Sequence, residues 1–493
     1  MIAVYGDWKD NFKKRFVPRV HCEIALGLPP KSTALIRENI IPETYIDSVE
    51  IGQSFSELAT ELPQSKISIQ LNNRDGYFSK DKLFYNESMK PATYMRIRFY
   101  FDESSKMENS YYENLEFIYS GNAMTLTLSA SVEIADNIRD IGYALDTEEK
   151  WTWWGNGYDF DDLTYYLEHI CATSHALVSD NSWTGTVNYP LKPNAVDVTL
   201  QKIVFGSGGE ILPRRETQLD LAETVNPTMR VADAFIIQKS KLLKLDESVD
   251  YRVSAADLTA YPEEKDGDIF STATVETEYC FVNNPDVLTA TKTYNYTFDG
   301  ARLVVDEGVF VPSGQVYRIW IPFDDVDGKY AYATVEEPQN ENVVVRQDST
   351  SIYGVYLYTR DKDAGSGTIT VNFYGNVIRL PYNQSWNLVS GTDPRSNSIS
   401  FSNEYGMPSK ELLEAYLKNN TTFNFSWWCD PRIEAGDYIL LNTRNGSVIA
   451  RILTLKITYN GAFKATATAR LVKDFRRMEL YADDTLHLVD YAV

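Results

Sequence analysis

Three side chains that can bind metal ions lie close together on a segment whose apolar spacing predicts a helix. They are His169, Cys171 and His175. The ligands of a zinc site must converge on one point, whereas residues two apart on a helix face different directions. This spacing argues against a metal centre, and we predict neither a metal nor another cofactor.

Catalytic chemistry has little support in the residue pattern. The chain contains four histidines, and none of them stands in a recognisable nucleophile, zinc or acid–base motif. The run from Gly206 to Gly209 lacks the lysine and hydroxyl order of a phosphate-binding loop, so we interpret it as a flexible connector. We therefore expect no enzyme. A glycoside hydrolase stays open as an alternative, because its two carboxyl groups follow no sequence pattern.

Aromatic side chains offer a different kind of site, through the cluster formed by Trp151, Trp153 and Trp154. Tryptophan rings can stack on sugars, which favours a glycan-binding surface. Large aromatic residues beside glycine-rich turns also lock the junctions between domains. Both interpretations remain open at the level of sequence.

The charge balance bears on the partners of the protein. A net charge of −22 over 493 residues is the opposite of what a nucleic-acid-binding groove requires. A basic stretch near the N-terminus departs from this balance. It forms either a solvated arm or a contact with an acidic neighbouring subunit, through Lys9, Lys13, Lys14, Arg15 and Arg19.

Signals for secretion or membrane insertion are missing from the sequence. No apolar run reaches membrane-spanning length, and Met1–Asp10 has no signal-peptide core. We therefore expect the protein to be made soluble and to stay in the cytosol where it is synthesised. Scattered cysteines are usually small buried apolar residues, so we predict free thiols at Cys22, Cys171, Cys280 and Cys429.

The elements that position these residues are mostly strands. Apolar and polar residues alternate along Ile67–Leu71 and Met95–Phe101, which is typical of strands with one buried face. A helix starting at Asp159, with Leu163 and Ile170 on its apolar face, predicts a mixed α/β region. Shorter helices are predicted after Ser254 and after Pro408.

We therefore predict a mainly β, multi-domain protein with minor α/β content. It would contain two barrel-like β domains, a small mixed α/β domain and a β-sandwich-like insertion. The predicted divisions are a β-barrel-like domain at 1–145, the α/β domain at 146–270, a β-rich insertion or second barrel at 271–380, a helix with a closing β-meander at 381–475, and a tail at 476–493.

The segment Phe423–Leu471 is the clearest β-meander. Its three strand-length runs are separated by Asn445-Gly446 and Asn460-Gly461, which predict tight type I′ turns because Asn-Gly tolerates positive φ best. Four glycines are accordingly predicted at structural turns where other side chains would be strained. They are Gly76, Gly436, Gly446 and Gly461.

Three stretches carry distinctive motifs. The first is 46–79, with its "E-L-P" turn and its "N-x-D-G-x-F" turn. The second is Leu242–Glu263, with a strand, a short helix and a "Y-P" stop. The third is the "D-P-R-I-E-A-G-D-Y-I" corner and the meander that follows it. Together they resemble one known family, the phage tail-tip and baseplate hub proteins, in which similar stretches occur in the same order.

The resemblance implies a virion protein that forms a homotrimeric hub at the distal end of a phage tail. Its implied partners are the tail tube or distal tail protein, a central spike or tip protein and the tape-measure protein. DNA would pass through the channel without specific binding. The alternative, favoured by the tryptophans and the tyrosine-rich insertion, is a carbohydrate-binding receptor-recognition protein of the tail.

Overall fold

The structure is a computed structural model of the whole chain. It describes residues 19–25, 40–78, 94–102, 105–119, 124–132, 158–159, 176–178, 186–187, 196–215, 235–243, 249–268, 270–298, 303–306, 318–322, 332–335, 343–351, 354–359, 365–388, 397–403, 406–418 and 421–476. The description that follows concerns these residues.

The described residues form strands for the most part, numbered here in chain order. The first group is β1 Arg19–Ala25, β2 Ile40–Ile41, β3 Ile46–Ser54, β4 Gln64–Asn72, β5 Tyr94–Asp102, β6 Ser105–Tyr119, β7 Thr125–Val132, β8 Tyr158–Asp159, β9 Ala176–Val178, β10 Thr186–Val187, β11 Gly209–Pro213, β12 Phe235–Lys239, β13 Tyr251–Val253 and β14 Glu263–Lys265.

The second group of strands follows in the same order. It is β15 Phe270–Phe298, β16 Leu303–Val305, β17 Arg318–Pro322, β18 Tyr332–Val335, β19 Val343–Ser351, β20 Gly354–Thr359, β21 Ser366–Asn387, β22 Asn397–Ser402, β23 Thr422–Trp428, β24 Tyr438–Thr443, β25 Gly446–Tyr459 and β26 Phe463–Asp474. Two α-helices are described, α1 Val196–Gly206 and α2 Lys410–Lys418. The mainly β architecture is confirmed.

The largest sheet joins the two ends of the chain. Its path is β14-β23-β26-β25-β3-β4-β7-β6-β5-β1-β2, with β13 and β24 attached through β25. The central contact pairs β25 with β3 in antiparallel register, from Thr454 opposite Ser54 to Tyr459 opposite Val49. Alternation in β3 and β4 buries the apolar residues on one face, as a half-buried strand requires. The N-terminal strands and the C-terminal meander therefore share one sheet and one core.

This sheet curls on itself without closing. Phe99 of β5 packs edge-on against Tyr459 of β25 and Phe463 of β26, with ring centroids 5.4 and 4.9 Å apart. These strands are far apart along the sheet path, so their inner faces meet only because the sheet bends. No pairing between described strands joins β14 to β2. The curvature is that of a barrel, but the closed or nearly closed barrel predicted for the N-terminal strands is not found among the described pairings.

The middle of the chain supplies the α/β element. Strands β11, β12 and β9 form a small sheet in which β12 and β9 run parallel. Helix α1 precedes β11 and buries Leu200, Ile203 and Val204 in the main core. The sequence did not predict this helix. The helix predicted from Asp159 onwards, including His169, Cys171 and His175, lies outside the described residues except for Tyr158–Asp159, which form β8.

The run from Gly206 to Gly209 is a tight connection, and its prediction as a flexible connector is wrong. Helix α1 ends at Gly206, and β11 begins at Gly209. Gly208 has a φ of 72° and donates its N–H to the Phe205 carbonyl, as in many helix C-termini. A Cβ on Gly206 would lie 2.6 Å from the Asn403 side chain. Glycine is needed here for close packing.

Strands β15 and β21 form a long antiparallel ribbon that leads to a second core. The ribbon is in register from Thr272 opposite Asn387 to Asn283 opposite Asn376, and again beyond Leu288 opposite Tyr374. Between these parts, Asn284–Val287 bulge opposite Gly375. Beyond the bulge the ribbon joins β16 and β18, while β17, β20 and β19 form a separate sheet. The second core consists of residues from these elements, such as Phe298, Leu357 and Phe373.

All four predicted turn glycines have positive φ, but neither Asn-Gly pair forms a type I′ turn. The φ values are 70° at Gly76, 91° at Gly436, 125° at Gly446 and 96° at Gly461. Among described non-glycine residues, positive φ occurs only at Ala59 and Asn284, which excludes Asn445 and Asn460. The first loop is Arg444-Asn445, with Gly446 following it, and the second is a three-residue loop centred on Gly461. Glycine alone supplies the unusual conformation in each.

The two shorter helix predictions have different outcomes. Helix α2 is present, and Ser409 precedes it with its hydroxyl accepting the Leu412 N–H, as an N-cap does. After Ser254 the chain makes a turn and no helix. The predicted capping contacts are nevertheless there, since Asp257 accepts both the N–H and the hydroxyl of Ser254. The turn ends early because Leu258 bridges to Trp427 of β23. Cys22 and Cys429 are buried and form no disulfide, as predicted.

Candidate functional site: a buried ionic junction

The corner at 430–439 is held by hydrogen bonds among its own residues and by one to the neighbouring strand β25. The Asp430 carboxylate accepts the backbone N–H and the guanidinium of Arg432. Glu434 donates its N–H to Asp437 at 2.9 Å. Gly436 donates its N–H to the Ile452 carbonyl at 2.8 Å. The motif is therefore a compact turn with its own internal contacts, which aims the chain into β24.

Two consecutive arginines that follow β11 clamp this corner. The backbone N–H of Arg215 donates to Glu434 Oε1 at 2.6 Å, and its guanidinium donates to the carbonyls of Pro431 and Ile433. Arg214 donates to the Ala435 carbonyl at 3.0 Å and lies 3.7 Å from Asp437. Arg215 is fully buried. Buried charges are tolerated when hydrogen bonds and partners compensate them; here two carbonyls accept from Nη2, and the Glu434 carboxylate lies 3.8 Å from Nε.

A second set of buried charged side chains lies next to the corner and links elements from different parts of the main core. Arg451 of β25 makes a two-pronged bond to Glu210 of β11, with both N–O distances at 2.8 Å. It also donates to the Gly436 carbonyl at 3.0 Å. Glu57 lies 3.8 Å from Arg451 and accepts from Arg470 at 2.8 Å. Each of these side chains is nearly inaccessible to solvent, so we call this group the ionic junction (Glu57, Glu210, Arg451 and Arg470).

The arginines of the ionic junction make further contacts that fix their position. Arg451 lies between the rings of Phe55 and Tyr438, with its Cζ 4.8 and 4.9 Å from their centroids. Arg470 donates to the carbonyls of Ala415 and Tyr416, near the C-terminal end of α2, where a positive charge is favourable. The junction thus ties α2, β11, β25 and β26 to the turn that follows β3.

The pKa values of buried groups in the ionic junction and in the corner are set by burial and by the charges beside them. Burial disfavours the charged form of Arg451, but Glu210 outweighs it and the pKa of Arg451 is raised. Burial raises the pKa of Asp437 to about 6, with Arg214 opposing the rise and Glu434 adding to it. Burial also raises the pKa of the Cys429 thiol. A thiol held protonated in this way is a poor nucleophile, which places Cys429 in the packing of the corner.

The "N-x-D-G-x-F" turn has the same self-capped construction. The Asn73 side chain accepts the Phe78 N–H at 2.8 Å, and Asp75 accepts the Tyr77 N–H at 3.1 Å. The Tyr45 hydroxyl donates to Asp75 at 2.6 Å, and this hydrogen bond raises the pKa of Tyr45. The fixed residues of the motif are those whose side chains close the turn, together with Gly76 at positive φ.

The segment Leu242–Glu263 joins the same unit. Tyr251 to Val253 pair in parallel with Ile439 to Leu441. Asp250 accepts the Tyr438 N–H at 2.9 Å, and Glu263 pairs opposite Asn424. Upstream of the segment, the Ser240 hydroxyl donates to the Glu57 carbonyl at 2.9 Å. The meander strands therefore pair with both of the other stretches that resemble tail hubs.

The remaining predicted site residues are only partly described. Arg19 forms an exposed ion pair with Glu43 at 2.8 Å, so in this chain its guanidinium has an internal partner. The other members of the basic stretch lie outside the described residues, as do the tryptophans of the predicted glycan cluster. They are Lys9, Lys13, Lys14, Arg15, Trp151, Trp153 and Trp154. The intersubunit and glycan interpretations of these residues stay predictions.

Sequence reasoning missed the ionic junction. A usable signal was present, because Arg451 interrupts the apolar run Val448–Leu455 and Arg470 ends an alanine-rich alternation. A charge at an inward-facing strand position needs a buried partner. The identity of that partner could not be read locally, since Arg451 and Glu210 are 241 residues apart.

An open groove lies on the outer face of the large sheet. It has a volume of about 650 Å³ and is lined mainly by hydroxyl, amide and charged side chains from β3, β4, β23, β25 and β26. Lys456 pairs with Glu50 at 2.7 Å across its floor. Tyr261 forms part of its wall and is about half exposed. This surface is polar and has no residue set of a recognised reaction.

The described residues contain no group of three or more histidine, cysteine, aspartate or glutamate side chains arranged to hold a metal ion. None of the described helices has the length and apolar character to cross a membrane. The ionic junction joins segments from the start, middle and end of the chain through ion pairs and hydrogen bonds.

Comparisons with known proteins gave solved structures only. No protein-family model matches the chain, and no curated protein does. A 43 kDa tail protein of prophage MuSo2 from Shewanella oneidensis is similar with a TM-score of 0.42 and 10% identity, over 91% of this chain and 97% of that one. A tail protein from Neisseria meningitidis has a TM-score of 0.42 and 6% identity, over 93% and 98%.

A third similar structure is the prophage tail protein gp18 from Listeria monocytogenes, with a TM-score of 0.38 and 9% identity, over 92% of this chain and 94% of that one. All three solved structures are tail proteins, and those from Shewanella oneidensis and Listeria monocytogenes belong to prophages.

Proposed function

We propose that this chain is a structural protein of a phage tail tip or baseplate, carried in the virion and without enzymatic activity. The observation that carries the proposal is the meeting of the three hub-like stretches. They are far apart in the sequence, yet β3, β13, β14 and the strands from β23 to β26 belong to one sheet. Chance resemblances at three separate places would have no reason to pack together.

The roles of the motif residues support the same proposal. In each stretch the distinctive polar residues close a turn or hold the junction, as Asn73, Asp75 and Glu434 do. The motifs thus encode a rigid scaffold. A hub that carries the load of an injecting tail needs a body whose ends cannot separate, and the ionic junction joins those ends.

We further propose that the hub is a homotrimer around the tail axis. Each chain would contribute two curled β units, so that three chains match a sixfold tail ring. A closed ring covers sheet edges that a monomer exposes. The tail tube or distal tail protein would lie on one face and a spike or tip protein on the other. DNA and the tape-measure protein would pass through a bore in which acidic side chains outnumber basic ones.

Imaging of the virion tests both levels of this proposal. Averaged images of purified particles, labelled at the C-terminus of this chain, should show the label at the distal end of the tail. They should show threefold symmetry, with each interface burying more than roughly 1,000 Å². A label at the capsid would refute the tail assignment. Five or six copies around the axis, or a bore lined by lysine and arginine, would refute the trimeric hub.

The groove favours carbohydrate binding as a second candidate function. Its lining of hydroxyl and amide groups beside Tyr261 suits a sugar, whose ring can stack on an aromatic face while its hydroxyls bond to polar groups. A glycan array with the purified protein would test it. Tyr261→Ala should remove the signal. Tyr77→Ala, which changes an exposed tyrosine in the "N-x-D-G-x-F" turn, should keep it. An array without any binding glycan would dismiss this candidate.

A further inference from the structure

The loop between β25 and β26 contains an asparagine in surroundings that suit a chemical self-modification. Asn460, Gly461 and Ala462 are exposed, and the strand pairing ends at Tyr459 opposite Phe463. Gly461 has a φ of 96°, and a Cβ built on it would meet nothing within 4 Å. Its N–H donates to no backbone carbonyl among the described residues. The nitrogen that follows Asn460 is therefore unhindered and unengaged.

We propose that Asn460 is a site of spontaneous deamidation in the folded protein and that Asn445, the corresponding residue of the neighbouring hairpin, is protected. Both asparagines precede glycine, and both are exposed. The two asparagines therefore have the same following residue and similar solvent access, so a difference in their deamidation rates would come from the backbone around each pair. The third Asn-Gly pair of the chain, Asn156-Gly157, lies outside the described residues.

The reaction requires water and no other partner. The Gly461 backbone nitrogen loses its proton to a base and attacks Cγ of Asn460, forming a nitrogen–carbon bond and a five-membered ring. The bond from Cγ to Nδ2 breaks, and the amide nitrogen leaves as ammonia with a proton from solvent. Water then adds to either carbonyl carbon of the cyclic imide. The ring opens to aspartate or to isoaspartate, in which the backbone continues through the former side chain.

The surroundings of Asn445 restrain the same motion. Its backbone N–H donates to the Thr443 hydroxyl at 3.3 Å, and that hydroxyl donates to the Gly446 carbonyl at 2.7 Å. Gly446 is also the first residue of β25 and pairs in register with Thr443. Ring closure would have to turn the Asn445–Gly446 peptide against these contacts. At Asn460 the comparable restraint is a single long contact, from its N–H to the Ala462 carbonyl at 3.4 Å.

The modification would act on the contact between the two ends of the chain. The residues on either side of the loop, Tyr459 and Phe463, pack on Phe99 of β5. Isoaspartate lengthens the backbone of a three-residue loop that holds these two rings 4.8 Å apart. It also adds a negative charge to the loop. We expect the aged protein to lose part of the packing that keeps the curled sheet in place.

Incubation of the purified full-length protein at neutral to mildly alkaline pH tests the proposal. Peptide mass spectrometry at intervals would measure aspartate and isoaspartate at each of the two positions. We expect product at Asn460 to form at least about tenfold faster than at Asn445, because opening one net hydrogen bond lowers a reactive population by about that factor. Equal rates, or faster reaction at Asn445, would overturn the proposal.

Two controls separate the fold from the local sequence. In denaturant the two rates should converge, and a difference that persists there would show that neighbouring side chains, not the loops, cause it. The Asn460→Gln variant should lack the product at 460 and leave the slow reaction at Asn445 unchanged. A chain aged until Asn460 has reacted should melt at a lower temperature than the equally aged variant, and identical melting would remove the structural consequence.

Discussion

Gly436 and Gly461 have almost the same φ, 91° and 96°, in different surroundings. A Cβ on Gly436 would lie 2.5 Å from Cδ2 of Leu212, whereas at Gly461 it would meet nothing within 4 Å. The two positions therefore separate backbone strain from steric overlap. Strain alone applies to the loop, and both apply to the corner.

We expect Gly461→Ala to lower the free energy of unfolding by about 1 kcal/mol, the usual cost of a left-handed alanine. Gly436→Ala should cost a further 1–3 kcal/mol or so, because a packed core resists an added methyl group. Chemical denaturation of the two variants beside the parent protein measures both. Equal losses would show that Leu212 can move aside and that the corner is less tightly packed than the structure indicates.

Asp437 gives the corner a pH dependence with an unusual sign. Burial raises the pKa of Asp437 to about 6 from its ordinary value of 3.8. Between these two values the folded chain holds a proton that the unfolded chain has released. The contribution of Asp437 to stability therefore falls as the pH rises through this window.

We expect Asp437→Asn to remove this contribution, because asparagine does not titrate and still offers an oxygen to the Glu434 N–H. Relative to the parent, the variant should gain on the order of 2 kcal/mol between pH 4 and pH 7. Unfolding measured across that range gives the difference directly. Gly461→Ala is the control, since its difference from the parent should not change with pH. A constant difference for Asp437→Asn would mean that the carboxyl stays ionised throughout.

At the level of elements, local patterns predicted what local forces decide. The strands β3, β4 and β26 alternate clearly, and their existence followed from sequence. The glycine positions also followed, since few other residues accept positive φ. The prediction of type I′ turns was wrong, because each loop needs positive φ only at its glycine and not at the asparagine before it. A helix was predicted after Ser254, but the segment forms a turn because Leu258 pairs with Trp427. These two residues are far apart in the sequence, so local patterns could not predict their contact.

The link between β11 and β25 is the element-scale contact that most invites mutation. Glu210→Gln should leave Arg451 as a buried cation without its main partner, which costs about 3–5 kcal/mol. Replacing both residues by methionine should recover much of that loss, because an apolar pair of similar size needs no compensation. Thermal and denaturant unfolding of the Glu210→Met and Arg451→Met single variants beside the double variant would complete a mutant cycle.

Lys456→Met is the matched control for this cycle. It lies on the same strand as Arg451 and breaks an ion pair with Glu50 whose two side chains are 53% and 44% exposed. Exposed pairs contribute about 0–1 kcal/mol, so this variant should unfold nearly as the parent does. If Glu210→Gln were equally mild, the ionic junction would not be what joins the small sheet to the large one.

At the scale of the whole molecule, the sequence could predict a mainly β protein but not the sharing of one sheet by its two ends. Pairing of β3 with β25 brings residues about 400 positions apart into register. No sequence pattern near either strand indicates which strand it pairs with. The second core was easier to anticipate, because its short tyrosine- and threonine-rich strands differ in composition from the rest. The two cores share no fully buried residue.

This arrangement predicts that the second core can be removed. Asn283 and Asn376 are register partners at the end of the first half of the ribbon, so their backbones are as close as strand neighbours. Replacing residues 284–375 by Asn-Gly would close that half with a two-residue hairpin turn. We expect the shortened chain to fold, to keep the main core and to unfold in one cooperative transition. Removal of Tyr358, which packs partly on the main core, should lower the free energy of unfolding by about 1–2 kcal/mol.

A deletion one residue longer tests whether register is the reason. Joining Asn283 to Val377 through the same Asn-Gly turn would move every side chain of 377–387 to the opposite face of the ribbon. Ala273 and Val275, which are fully buried on that ribbon, would then lose their neighbours across β21. We expect this second chain to be clearly less stable than the first, by circular dichroism and denaturant unfolding. If both chains unfold alike, the register of the ribbon does not contribute to the stability of the main core. If neither folds, the second core is a necessary part of the main body.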